Sequence, residues 1–271
     1  MKKILFPTDF SQSAFHAYKF ALSWAKELGA SVTTLHVFMP SVAQPFILEP
    51  FSLEMAEMKT FDEYKSAAHK MHEQASGTEL ESVEVSHLME QGFPIETIVR
   101  VAKEEEFDMI IMGTDGATGL AEIILGSTAS QVIEKAHCPV LVVPKEAEFK
   151  SINKVLLPVD FFTIKPQILE KVRAMGTIMD AKVKCLHINN SNNPLLEKRM
   201  EDLKSEYPGI EFEYSNFSYV IDGILDYVEK HSDIDLIFMV TEKYSILKNI
   251  FQLSYTKRTA IHTKIPVLAV R

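Results

Sequence analysis

The sequence predicts two tandem α/β domains, each a doubly wound sheet of five parallel strands. Three observations carry the prediction. The chain repeats itself in register, each copy alternates short apolar runs with helical patterns, and turn-forming residues cluster just past the apolar runs.

The repeat is direct. KKILFPTDF (Lys2–Phe10) returns as NKVLLPVDF (Asn153–Phe161), and ASVTTLHV (Ala30–Val37) as AKVKCLHI (Ala181–Ile188), both at an offset of 151 residues. FDMIIMG (Phe107–Gly113) then matches IDLIFMV (Ile234–Val240), and CPVLVV (Cys138–Val143) matches IPVLAV (Ile265–Val270), at an offset of 127. Blocks in the same order mark two copies of one domain, placed at residues 1–146 and 152–271. The charged stretch PKEAEFKS (Pro144–Ser151) connects them. The second copy is shorter by 24 residues, mostly a trimmed helix.

Within the first copy, ILF is a short strand ending at Pro7. Ser11 or Ser13 caps a helix whose Ala14, Ala17, Ala21, Trp24, Ala25 and Leu28 recur at helical spacing, and Gly29 ends it. VTTLHVF is the second strand. A long polar helix with an Ala/Met stripe runs from about Leu53 to Ser76, and SVEVSHLM (Ser82–Met89) is the third strand. Pro94 suits the first turn of a helix reaching about Glu105. DMIIM is apolar throughout, as in a strand covered on both faces. Residues 127–136 form a helix, and PVLVV is the fifth strand. In such a sheet, ligands sit past the carboxyl ends of the strands where the strand order reverses. Pro7-Thr8-Asp9 and the segment from Gly113 meet that description.

The chain has 271 residues, 46% hydrophobic and 24% charged, with a net charge of -9. An acidic chain without a Lys/Arg cluster argues against nucleic acid or an anionic membrane as partner. Two cysteines, Cys138 and Cys185, form neither a disulfide framework nor a CxxC site. No apolar run approaches the ~18 residues of a membrane span, and the amino terminus lacks the apolar core of a signal peptide. A cytoplasmic protein is expected.

The densest cluster is GTDGATGLAEIILGSTAS (Gly113–Ser130). Gly113, Gly116 and Gly126-Ser127 follow the pattern Gly, two residues, Gly, nine residues, Gly-Ser. Glycines let backbone N–H groups approach phosphate oxygens, and Gly126-Ser127 opens a helix whose free N–H groups favour an anion. Tight turns and a helix cap are the competing reading. Neither a P-loop nor a GxGxxG fingerprint is present.

With these motifs in view, the chain resembles the universal stress protein family (UspA-like), in its tandem two-domain form. The resemblance rests on KILFPTDFS, the LHV strand, MGTDG, the nine-residue gap, GSTASQVI and HCPVLVV. It implies a Rossmann-like domain of the adenine nucleotide alpha hydrolase-like kind and a site for ATP, or for AMP or another adenosine compound, in the first copy. On that resemblance Pro7 and Thr8 shape a wall and Asp9 lies by the adenosine. Phe38 or Met39 borders the base, Met112 and Gly113 lie against the nucleoside, and Asp115 and Gly116 line the ribose and phosphates. Gly126, Ser127 and Thr128 hold the phosphates, assisted by Ser130. The loop carries no lysine or arginine, so Asp115 either contacts a bound Mg²⁺ or points away. The second copy has Val240-Thr241-Glu242-Lys243 in place of the glycines and Leu253-Ser254 in place of Gly126-Ser127. No nucleotide is expected there by this mode, although Asp160 persists. Lys257 and Arg258 read as a solvated helix face, with an anion contact as the competing reading.

The remaining candidates read as packing or surface. His69 and His72 mark a polar helix face. His36 and His187 occupy the repeated strand position. Cys138 is a small buried residue, and Glu104, Glu105 and Glu106 form a solvated helix end. Phe46, Phe51 and Phe61 either cover a groove or close the local core. The last strands, PVLVV and PVLAV, would be exposed edges, so their pairing would make an intramolecular pseudo-dimer. The resemblance further implies a homodimer of tandem chains and an unidentified protein partner. The functional expectation is an ATP-binding stress sensor or regulator with no catalytic residues and no dedicated metal site. The alternatives are an interaction module that has lost ATP or a slow ATP hydrolase.

Overall fold

The computed structural model describes residues 3–39, 50–114, 127–191, 193–240 and 264–270. The chain divides into two compact units, Met1–Phe149 and Lys150–Arg271.

The first unit runs β1 (Lys3–Pro7), α1 (Gln12–Leu28), β2 (Ser31–Phe38), α2 (Pro50–Leu80), β3 (Val85–Gln91), α3 (Pro94–Glu104), β4 (Met109–Gly113), α4 (Ser127–Lys135) and β5 (Val140–Val143). Its strands lie in the order β3-β2-β1-β4-β5, all parallel. The order reverses between β1 and β4, so Pro7 and Gly113 end neighbouring strands at the switch point. β1 and β4 are buried along their apolar runs, with Ile4, Leu5, Phe6, Met109, Ile110 and Ile111 all solvent-inaccessible.

Of the two candidate serines, Ser11 caps α1: its Oγ accepts the Ala14 N–H at 3.2 Å. Gly29 takes the left-handed conformation (φ 59°), and the Ala30 N–H reaches back to the Ala25 carbonyl at 2.9 Å, so the helix ends where a side chain would be strained. The stripe on α2 is Tyr64, Ala68, Met71 and Ala75, all buried. α2 begins earlier than expected, at Pro50, and Gly77 (φ 50°, ψ -169°) leaves the helical conformation just past Ser76. β3 lies further along the chain than expected. Its register with β2, from Val32↔Val85 to Phe38↔Gln91, sets its limits, whereas polar alternation in SVEVSHLM does not.

The second unit runs β6 (Lys154–Pro158), α5 (Pro166–Ile178), β7 (Lys182–Asn189), α6 (Leu196–Glu206), β8 (Ile210–Asn216), α7 (Val220–Lys230), β9 (Leu236–Val240) and β10 (Val267–Val270). The strand order β10-β9-β6-β7-β8 repeats that of the first unit. α6 has 11 residues where α2 has 31, which is where most of the shortening falls. No helix among the described residues is long and apolar enough to cross a membrane.

Candidate functional site

The site is built on the turn that follows β1. The Thr8 N–H donates to the Leu35 carbonyl at 2.9 Å, extending the β1–β2 pairing one residue past the strand. The Thr8 side chain is buried, and its Oγ1 accepts the Phe10 N–H at 3.0 Å. Asp9 is exposed, and its Oδ1 accepts the Ser11 N–H at 3.0 Å, a local carboxylate turn that orients the side chain. Phe10 adopts φ 59°, an uncommon conformation for a non-glycine residue. A carboxylate is thus presented at the strand end by four successive backbone constraints.

The neighbouring strand ends carry the other candidates. Phe38 closes β2 half-buried, and Met39 beyond it is 63% exposed. Met112 is buried inside β4. Gly113 lies close under α1: a Cβ there would stand 3.4 Å from the Ser13 carbonyl and 3.6 Å from the Ala17 Cβ. Alanine fits that gap under α1, and a branched side chain meets the helix. α4 opens at Ser127, with Thr128 and Ser130 half-buried in its first turns. Asp115, Gly116 and Gly126 lie outside the described residues. The structure therefore brings Pro7, Thr8, Asp9, Met112 and Gly113 to adjoining strand ends, with Phe38 and Met39 at the end of the next strand.

Sequence reasoning missed what stands behind the turn. His36 Nδ1 lies 2.9 Å from the Thr8 carbonyl. The His36 ring stacks on Tyr64 of α2 at 5.6 Å, and Phe10 contacts both rings. Tyr64 is tied to β2 through Thr34 Oγ1 at 3.0 Å, which also meets His87 Nδ1 at 2.7 Å. Burial pushes the Tyr64 hydroxyl up to about 12. His72 is half-buried and its Nδ1 bonds the Tyr18 hydroxyl at 3.1 Å, so the face of α2 read as merely polar carries an interior contact. Burial, then the positive charge of neighbouring His72, His69 and Lys65, lowers His87. Burial also lowers His72. The repeat of His36 as His187 was the one signal in the sequence that pointed here.

The second unit keeps two of these bonds, although Phe161, unlike Phe10, does not take a positive φ. The Val159 N–H donates to the Leu186 carbonyl at 2.9 Å, and Asp160 Oδ1 accepts the Phe162 N–H at 2.9 Å. His187 Nδ1 accepts the Phe161 N–H at 3.3 Å and lies 3.7 Å from Asp160 Oδ1. The place of Phe38 is taken by Asn189, whose Nδ2 donates to Asn216 Oδ1 at 2.7 Å while its own Oδ1 is buried with no partner among the described residues. Thr241, Glu242, Lys243, Leu253, Ser254, Lys257 and Arg258 lie outside the described residues, as does Phe46. Phe61 is half-buried, with Lys65 Nζ 4.5 Å above its ring. Cys138 is half-buried, less enclosed than the sequence suggests, and its partial burial raises the thiol to about 11, which keeps it protonated. Among the described residues, no three His, Cys, Asp or Glu side chains converge to hold a metal ion.

Comparison with known proteins follows the repeat. The model of the Universal stress protein family matches residues 1–144. Universal stress protein MJ0531 of Methanocaldococcus jannaschii is 40% identical over 146 residues, covering 53% of this chain and 82% of its own length. Universal stress protein MJ0577 of the same organism is 36% identical over 155 residues, covering 54% of this chain and 96% of its own. The crystal structure of a universal stress protein from Archaeoglobus fulgidus aligns with 98% of this chain and 97% of its own, with a TM-score of 0.67 at 19% identity. That last likeness is one of fold.

Proposed function

Because the chain belongs to the universal stress protein family, we propose that its first unit binds an adenine nucleotide past the ends of β1, β2 and β4, and that the protein is a nucleotide-responsive regulator in the stress response. The observation that carries this reading is the Asp9 turn: an exposed carboxylate, oriented by its own backbone, at the switch point of a parallel sheet. Asp9 would accept a hydrogen bond from the adenosine, with Pro7 and Thr8 as the wall, Phe38 or Met39 against the base, and Met112 and Gly113 against the nucleoside. Asp115, Gly116, Gly126, Ser127, Thr128 and Ser130 would hold the ribose and phosphates. Asp115 is the residue through which Mg²⁺ would join the nucleotide. ATP is the first ligand to test, and AMP the second.

Calorimetric titration with ATP and AMP, with and without Mg²⁺, tests the reading. The expected result is about one nucleotide per chain, weakened in Asp9→Ala and unchanged in Asp160→Ala. A chain that takes up neither nucleotide ends it.

A second reading, protein interaction, is favoured by a specific pair. Phe93 and Tyr219 precede α3 and α7 at corresponding positions of the two units and are 70% and 59% exposed. Neither makes a side-chain cap hydrogen bond, although such positions favour Ser, Thr, Asp or Asn. Retention of a partner by the wild type and its loss in Phe93→Ser would support that role.

A further inference from the structure

We propose that His36 is a positioning residue for Asp9: its Nδ1–H holds the Thr8 carbonyl and thereby fixes the turn that presents the Asp9 carboxylate. The inference rests on the nucleotide reading for its functional meaning and on the turn itself for its physics.

Thr8 is held on both sides by consecutive residues of β2. Its N–H is bound by the Leu35 carbonyl at 2.9 Å and its carbonyl by the His36 ring at 2.9 Å. A carbonyl only accepts, so Nδ1 carries the proton. That assignment holds for the neutral ring and for the imidazolium alike. The two peptide planes that flank Thr8 are therefore each held, one through the Thr8 N–H and the other through the Thr8 carbonyl. Downstream, the Phe10 N–H is bound by Thr8 Oγ1 and the Ser11 N–H by Asp9 Oδ1. With Oδ1 committed to the turn, the direction of Oδ2 follows from the backbone.

The ring packs against two aromatic neighbours. It is stacked on Tyr64 with the planes 17° apart, and Phe10 packs against it at 5.3 Å. Tyr64 is itself anchored, its hydroxyl donating to the Thr34 carbonyl at 3.2 Å. Phe10 keeps its left-handed backbone in this setting, a conformation that a non-glycine residue holds only when its surroundings over-determine it.

The second unit supplies an internal control. His187 occupies the same strand position and stacks on Phe161 at 5.1 Å, the counterpart of Phe10, but its Nδ1 accepts the Phe161 N–H at 3.3 Å, the amide whose counterpart in the first unit is held by Thr8 Oγ1. A strand histidine serves the turn also where the glycine pattern is lost, by accepting an N–H at Nδ1 and not by donating to a carbonyl. Its role is thus to hold the turn, with ligand binding built upon it.

The test uses the full chain and three variants. His36→Leu removes the donor and keeps an apolar side chain. His36→Asn places an amide N–H near the position of Nδ1, and His36→Gln places one near Nε2. Amide exchange of Phe10 and Ser11 is followed by NMR in the nucleotide-free protein, with ATP affinity measured alongside. His36→Leu is expected to speed exchange at both amides and to weaken ATP about tenfold. His36→Asn is expected to restore both. If His36→Leu does not fold, His36→Gln takes its place as the variant lacking a donor at the right atom. Unchanged exchange in the donor-deficient variant overturns the proposal, and so does an Asn variant no better than it, which would assign the effect to ring packing. A wild type that does not bind ATP removes the nucleotide reading, while the exchange measurement still decides whether His36 holds the turn.

Discussion

The two units keep one order of strands and exchange the side chains around it. At the start of β2 and β3, Thr33 Oγ1 and Ser86 Oγ share a neutral hydrogen bond of 2.8 Å. The corresponding place in the second unit is ionic. Lys184 Nζ lies 2.8 Å from Glu213 and 3.4 Å from Glu211, with the Tyr227 hydroxyl donating to Glu213 at 2.7 Å. Burial alone would lower the Lys184 ammonium, but Glu213 and Tyr227 outweigh it and raise it.

A second exchange concerns size. The Gly92 N–H donates to the Phe38 carbonyl at 3.0 Å, and in the second unit the Phe217 N–H donates to the Asn189 carbonyl at 3.3 Å. Gly92 faces Thr97 of α3, whose Oγ1 would be 2.5 Å from a Cβ there. In α7 the position of Thr97 is Gly223, whose Cβ would meet Ile188 at 2.9 Å and Phe217 at 3.0 Å. One partner of each close approach lacks a side chain, and the two units choose opposite partners. A fold tolerates such swaps when the summed volume is kept.

The sharpest way to break the comparison is the paired substitution at the two turns. Asp9→Ala should weaken ATP by about 10- to 100-fold, the worth of a hydrogen bond to a charged group, with Asp160→Ala indistinguishable from wild type by calorimetry. Equal losses in both would mean that the second unit also binds. Next in size is the glycine exchange. Gly223→Val should destabilise the chain by about 2–3 kcal/mol through overpacking, read as a lower urea midpoint, whereas Thr97→Val should cost under about 1 kcal/mol. Gly113→Val belongs with Gly223→Val, because its added carbons meet α1. It is therefore a poor probe of ligand binding, and Asp9→Ala is the cleaner one.

The ionic cluster comes third. The Lys184 side chain is 12% exposed and that of Glu213 is 44% exposed, so water screens part of the pairing. Lys184→Met should cost about 1–2 kcal/mol in denaturant unfolding, against under about 1 kcal/mol for Thr33→Val.

The smallest effect is on pH. His72 and His87 are held below their ordinary value of 6.5, so the unfolded chain takes up protons that the folded first unit refuses. Stability is then full above about pH 6.5 and declines as the pH falls through the histidine range. His187 has the same sign, its burial outweighing the pull of Asp160. Thermal unfolding of His72→Gln/His87→Gln should depend less steeply on pH than the wild type between pH 7.5 and 5.5, leaving the share of His187. An unchanged slope would remove the two first-unit rings from the account.

Much of the fold was legible because its signals are local. Ser11, Gly29 and Pro94 mark helix ends by the backbone conformation of a few residues, and Met109–Met112 read as a doubly covered strand from its apolar run. The limits of β3 were not legible, since pairing with β2 sets them. Of the candidate site, the Pro7–Asp9 turn and Gly113 stood at strand ends in the repeat. Their support did not, because His36, Tyr64 and Thr34 reach one another through the packing of α2 on β2. Gly113 shows the same limit: its place in a glycine pattern was plain, and its contact with Ser13 was not.

By itself, the sequence determined that two copies of one α/β domain follow each other, that the Pro7–Asp9 turn and Gly113 stand at strand ends, and that only the first copy carries the full glycine pattern. Tertiary structure alone decided which residues meet across 29 or more positions: Thr34 with Tyr64 and His87, Lys184 with Glu213, Gly223 with Ile188. The physical reason is that periodicity and turn chemistry act between neighbours in the chain, while close packing and hydrogen-bond satisfaction act between neighbours in space.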